Sequence, residues 1–385
     1  MIPIPVPTIR LSRVILAVGL AALMVISGSL TYIVLGSRTS KIVAAPEKPT
    51  AATPRPQALT LPGTLYLSQD GVIYSLSAGR FRQLTPESGW TQPAIAPDGN
   101  IIAVRRLPYY SDIYVLNSSG SVVRRLTNNS ARQGSDTNNY HWAFYPRLNA
   151  TGRTLWLTYD KPKYDYDVVF SVWAMPYGGT ISQGTLWSNA ADYTGGDVQP
   201  LPVRGGVIYT KYDYASSYDA NQPNKLVGML WFTNRAGSYG RQLTSPAEDC
   251  RTPALSPAGN MIAMVCTYQK QVSYLSIASW NGSTLGARTN IVTNQLVAQP
   301  TWAPDGSGIA FLAPGIAAGP FQLWWLPKAA YTPPPPPPPP TPTPGGPHNG
   351  PLPSPTPVPP PPAVKPIEVT TNDGFDATSP LAWLG

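Results

Sequence analysis

One motif recurs along this chain at a fixed spacing, and it limits the possible folds more than any other feature. A polar residue and a proline are followed by apolar residues, a turn carrying Gly, and an apolar strand. The clear copies are QPAIAPDGNIIAV (92–104), TPALSPAGNMIAMV (252–265) and QPTWAPDGSGIAFL (299–312). Weaker copies are YPRLNATGRTLWLTY (145–159) and QPLPVRGGVIYTKY (199–212). Their prolines, Pro93, Pro146, Pro200, Pro253 and Pro300, are separated by 53, 54, 53 and 47 residues. Each unit continues into a third strand: DIYVLN (112–117), VVFSVWAM (168–175), VGMLWFT (227–233), VSYLSIA (272–278) and FQLWWLP (321–327). Short closing segments follow, RRLT (124–127), RQLT (241–244) and NIVTN (290–294) among them.

Four antiparallel strands in a repeat of this length is the arithmetic of a β-propeller blade. The PDG turn, the apolar strand after it and the closing R-x-L-T resemble the WD40-like repeat of the TolB propeller family. The resemblance covers 63–385 outside one Pro-rich tract and implies an all-β propeller of four-stranded blades. The amino-terminal α/β domain of that family has no counterpart here, so the family's function does not carry over with the fold.

The ring is expected to have six blades, the last shared between the ends of the chain. Residues 64–85 carry strands and the closer RQLT but no Pro-apolar opening. The opening is found in ATSPLAWL (377–384), where Pro380 and Trp383 echo Pro300 and Trp302. Joining 63–85 to 377–385 removes the free edges of an open array. The Pro-rich stretch at 332–366, with eight consecutive prolines at 333–340, then becomes an insertion within the last blade and not a tail. Its composition favours stiff polyproline II, read as a spacer loop with no specific reader, the alternative being a segment that docks a proline-reading domain or cell-wall material.

Before the repeats, Val14 to Leu35 runs without a charged residue. A helix of that length matches a hydrocarbon core roughly 30 Å thick, so 14–35 is read as a transmembrane signal anchor, with 1–13 as a short cytoplasmic tail. Residues 36–62, rich in Pro, Ala and Thr, read as a linker lifting a propeller over 63–385 off the outer face. Cys250 and Cys266 flank a strand-turn-strand segment and fall opposite each other if the turn centres near Ala258. A disulfide is then possible, as an oxidising compartment permits, with two buried thiols as the alternative. The net charge of +8 arises from scattered Lys and Arg without a basic stripe, which argues against nucleic acid.

Catalytic motifs are absent. There is no GxSxG, HExxH, paired CxxC or phosphate-cradling Gly loop. Of the two histidines, His348 lies in the Pro tract, leaving His141 as the sole candidate base. The Asp residues of the PDG turns, Asp98 and Asp305, are expected to bond within their own turns. Loops joining second to third strands share a face with those leading to the next blade, and there they are rich in Tyr, Asp and Asn. Tyr109, Tyr110, Tyr164, Tyr166, Tyr212, Tyr214, Tyr218, Asp165, Asp213 and His141 are therefore the candidate binding residues, since Tyr gives contact area at low entropic cost. Asp165, Asp167, Asp213 and Asp219 could offer oxygens to Ca²⁺, but no loop has a recognised calcium spacing, and no cofactor is expected. The expected role is a protein- or ligand-binding scaffold in the cell envelope, engaging a protein, peptide or glycan. The alternatives are a glycan or peptide sensor and, behind it, a propeller hydrolase or lyase.

Overall fold

Each repeat folds into one four-stranded antiparallel sheet, and the computed structural model contains six of them. It describes residues 59–161, 163, 169–270, 272–315, 319–332 and 364–385. The expected anchor at 14–35 and most of the Pro-rich insertion lie outside them. Among the described residues no helix is long and apolar enough to cross a membrane. In the second blade, the strands Trp90–Ile95, Ile101–Arg106, Ser111–Leu116 and Val122–Arg125 follow one another from the axis outwards. The first blade is shared: Ala382–Leu384 supplies its inner strand and pairs antiparallel with Thr64–Gln69, Tyr66 facing Ala382. The last blade closes with Ile367–Glu368, paired to Trp324 and Trp325 across the insertion. The expected linker ends earlier than residue 62. Leu61 is buried in the core, and the Pro62 carbonyl accepts a hydrogen bond from Trp383 Nε1 at 2.6 Å.

Second strands read as unbroken apolar runs because neighbouring sheets cover both of their faces. Ile101, Ile102, Ala103 and Val104 are all fully buried, as are Ile262, Ala263 and Met264. Alternation, the mark of a half-exposed strand, is lost in such positions. The R-x-L-T closers have a different role from the one the strand reading implies. Their threonines lie just beyond the outer strands and turn inward. Thr85, Thr127 and Thr244 each accept the backbone N–H of the third strand through Oγ1, from Ile73, Ile113 and Leu230, all at 2.9 Å. Ser188 and Thr370 do the same for Val172 and Leu323. The hydroxyl satisfies a buried donor that the short fourth strand does not reach.

The repeated prolines mark bulges in the inner strands. Pro has no N–H to give to a ladder and bars the residue before it from the right-handed helical region. Gln92, Tyr145, Gln199, Thr252 and Gln299, instead of the extended backbone usual before Pro, sit at φ between 49° and 56°, and the register slips in each of these five strands. The extra residue swings toward the axis and ties one blade to the next. Gln92 Oε1 accepts from Tyr145 N at 2.7 Å, Gln199 Oε1 from Thr252 N at 3.1 Å, and Ser379 Oγ from Gln92 N at 2.8 Å.

Cys250 and Cys266 face each other in register and are joined by a disulfide. Asp98 and Asp305 cap their own turns, accepting from Asn100 N and Ser307 N at 3.0 Å each.

Candidate functional site

The loops between second and third strands and the loops to the next blade emerge together, as four antiparallel strands require, and they surround a wide mouth of the axial channel. Its volume is about 530 Å³, and its wall is drawn mainly from the second, third and fourth blades. Arg106 ends the strand Ile101–Arg106, Trp142 and Phe144 enter Ala143–Leu148, Phe170 precedes Ser171–Pro176, and Tyr212 lies in Gly206–Tyr214. The aromatic rings form a ladder. Trp142 stacks on Phe144 with centroids 6.1 Å apart, and Phe170 meets Phe144 edge-on at 5.8 Å. The Arg106 guanidinium lies over Trp142 at 5.8 Å. Gly195 leaves room for the Tyr212 ring: a Cβ there would sit 2.9 Å from Tyr212 Cγ.

At the floor, burial, then the neighbouring Tyr212 and Asp376, push the Tyr145 phenol up to about 12. Burial also raises Tyr212. Both hydroxyls therefore stay protonated at neutral pH and remain available as donors. Among the described residues that line this mouth there is no Asp or Glu, and Arg106 is the charged one. Such a surface can hold a flat apolar group or sugar face against the rings and an anionic or carbonyl oxygen against the cation.

The residues expected from the sequence divide into several groups. Tyr212 is in the mouth. Tyr109 packs on Tyr140 with centroids 5.3 Å apart, and Tyr110 lies under Arg125 at 5.9 Å. Tyr218 donates to Asp213 Oδ2 at 2.9 Å and packs edge-on against Trp231, while Asp213 Oδ1 accepts from Tyr214 N at 2.8 Å. These two residues satisfy each other, and Tyr214 is left at the surface. Tyr164, Asp165, Tyr166 and Asp167 lie outside the described residues. Asp219 caps its own turn through Asn221 N. No group of three or more His, Cys, Asp or Glu able to hold a metal occurs among the described residues.

His141 has a carboxylate partner, since its Nδ1 is 3.2 Å from Asp160 Oδ1. That carboxylate is fully buried and also accepts from Trp142 N at 2.9 Å and from Lys163 Nζ at 3.4 Å. A nearby hydroxyl, Ser111 Oγ, is committed to Ala143, donating to its carbonyl and accepting from its N–H at 2.8 Å each. The His141–Asp160 pair thus fixes the backbone that presents Trp142. The sequence reasoning missed Arg106, Trp142, Phe144 and Phe170. The signal available was the aromatic run HWAFY immediately before Pro146.

No protein-family model and no curated protein sequence matches the chain. Among solved structures it is similar to TolB from Acinetobacter baumannii, at 15% identity and a TM-score of 0.49 over 69% of this chain and 61% of that one. It is similar also to a putative TolB from Agrobacterium tumefaciens, at 12% identity and 0.47 over 69% and 85%. A puromycin-hydrolyzing peptidase from Mycobacterium tuberculosis matches at 10% identity and 0.43 over 69% and 45%. The likeness is one of fold, and the six closed sheets establish that fold by themselves. By that architecture the chain is a six-bladed β-propeller with four-stranded blades and a shared terminal blade.

Proposed function

We propose that this is a binding propeller of the cell envelope, tethered by its amino-terminal apolar segment. It holds a peptide or glycan segment of an envelope partner in the aromatic mouth. The observation that carries this reading is the convergence of Trp142, Phe144, Phe170 and Tyr212 around Arg106 in a concave space of ligand size. The apolar run at 14–35 supports the tether, and the Cys250–Cys266 disulfide supports an oxidising compartment. A non-catalytic role is favoured by the commitment of Ser111 Oγ, the hydroxyl near His141, to both backbone groups of Ala143.

The test is capture from native envelope by the full chain, repeated with Trp142→Ala, with Phe170→Ala and with a rim control, Tyr214→Ala. A partner retained by the native chain and by the control, but lost by both mouth variants, supports the reading. Loss with Tyr214→Ala alone would move recognition to the rim. Equal capture by all four proteins would sink the proposal. A parallel glycan panel separates sugar from peptide ligands.

A further inference from the structure

The axial channel has a second mouth, on the opposite face where the PDG-type turns emerge. Its space of about 400 Å³ is ringed by Leu148, Leu201, Leu255, Trp302, Pro304 and Trp383. Between the mouths the channel narrows to a neck of about 20 Å³ beside Tyr145, Arg147, Gln199, Thr252 and Gln299. A neck of that size admits little more than one water molecule. Arg147 lines both the neck and the second mouth.

Arg147 is unusual because nothing balances it. The ion pairs among the described residues do not include it, and no Asp or Glu lines the neck or this mouth. Burial pushes its guanidinium down to about 10, which leaves it charged at neutral pH. The side chain is half-buried between the neck and the open mouth, so its guanidinium faces that mouth with no protein carboxylate beside it. Thr252 makes a second, independent point. It is β-branched yet sits at φ 52°, a bulge position where three other inner strands carry Gln. A β-branched side chain at such a φ is strained. Its Oγ1 is buried and has no hydrogen-bond partner. Arg147 therefore offers guanidinium N–H groups to the second mouth, whose Leu, Pro and Trp side chains alternate with polar surface.

We propose that the second mouth binds a carboxylate carried on a short apolar body, with Arg147 as counter-ion. The Leu, Pro and Trp side chains of the collar take the apolar body, and the carboxylate meets the guanidinium in a charge-assisted pair. An inorganic anion gains nothing from the collar and binds less well. The carboxylate can come from a free aliphatic acid or from the end of a peptide chain, because both present one anionic group on one apolar body. This site lies across the neck from the aromatic mouth and stands whether or not that mouth binds an envelope partner.

The test is calorimetric titration of the full chain with hexanoate and with N-acetyl-leucine, each against its neutral counterpart, hexanol or N-acetyl-leucinamide, and against sulfate. At least one acid is expected to bind, with its neutral counterpart and sulfate about ten-fold weaker or more. Hexanoate alone assigns the site to aliphatic acids, N-acetyl-leucine alone to chain ends, and both to the shared chemistry. Arg147→Met should lose at least about ten-fold in affinity while melting no lower than the native chain, since it removes an unpaired charge. Arg147→Lys should retain part of the binding. The proposal fails if neither acid binds more tightly than about 10 mM, if a neutral analogue or sulfate equals the acids, or if Arg147→Met binds as the native chain does.

Discussion

The shared blade makes a quantitative demand on the last residues of the chain. Removing 379–385 deletes the inner strand Ala382–Leu384 and exposes the inner edge of Thr64–Gln69. Leu381, only 2% exposed, forfeits about 2–3 kcal/mol of burial. Trp383 loses its edge contact with Trp325, at 5.8 Å, worth about 1 kcal/mol beyond area. Two hydrogen bonds also go, Gln92 N to Ser379 Oγ and Trp383 Nε1 to Pro62 O, at about 1 kcal/mol each. With the donor of Gln92 then left in the channel wall, the loss is on the order of 6–8 kcal/mol, comparable with the whole stability of many domains. Urea unfolding followed by tryptophan fluorescence and far-ultraviolet circular dichroism should therefore show no cooperative transition, or one at far lower urea. Deleting 333–362 instead removes only sequence between two strands that still meet through Trp325 and Ile367. Shortening such a connection changes closure entropy by only about 1 kcal/mol. If the two deletions unfold at the same urea concentration, the ring is not closed by this strand.

Three other outcomes are expected. Thr244→Val keeps the shape of a fully buried side chain but strands the Leu230 N–H, and should cost about 1–3 kcal/mol in urea unfolding, with Thr244→Ser keeping the bond. Replacing both Cys250 and Cys266 by Ala opens a short loop, 16 residues in separation, and should lower stability by about 2–4 kcal/mol, read against the native protein with and without reductant. For Glu248, burial alone would raise the carboxyl, but hydrogen bonds from Arg288 and Ser245 outweigh it and hold the group below its ordinary 4.5. The sign follows from that depression: the stabilisation is present above pH 4.5 and is lost as pH falls through the folded value. The gap in melting temperature between the native chain and Glu248→Gln should therefore be full at neutral pH and close on acidification.

Much of the fold could be read before any coordinates because a blade is a local object. Its turns, apolar runs and prolines lie within one repeat, and counting them gives the ring. The split blade was also legible, since 64–85 has a closer without an opening and 377–384 an opening without a closer. The site was less legible, for two physical reasons. First, Arg106, Trp142, Phe170 and Tyr212 come from three blades and meet only because the ring curves, so no spacing in the chain encodes their contact. Second, Tyr and Asp in neighbouring positions, such as Tyr218 and Asp213, consume each other's polar groups and so are less available to a ligand than their exposure pattern implied. The repeated prolines were visible, but the residue before each was the more informative one. It is the bulged residue that faces the axis, and in the fifth blade it is Thr252.

The narrow neck separates two mouths, one walled by stacked rings and the other by Leu, Pro and Trp side chains around Arg147. Tyr145 and Arg147 nevertheless stand on the same inner strand, on either side of Pro146, and Tyr145 N is held by Gln92 Oε1 from the neighbouring blade. Two behaviours can follow. If the bulge is rigid, a ligand at one mouth is invisible at the other, and the effects of Trp142→Ala and Arg147→Met on partner capture and acid binding add independently. If occupying the neck shifts Tyr145, the floor of the aromatic mouth moves with it and the two variants couple. The proline fixes its own φ, the bulge is tied to the second blade through Gln92, and the strand beside it to the fourth blade through Thr158 and Gln199, so the rigid case is the one the geometry favours. Capture of the envelope partner in the presence of saturating hexanoate or N-acetyl-leucine decides it. Unchanged capture means two independent sites in one ring. A change of more than a few-fold means that the strand from Ala143 to Leu148 carries a signal between them.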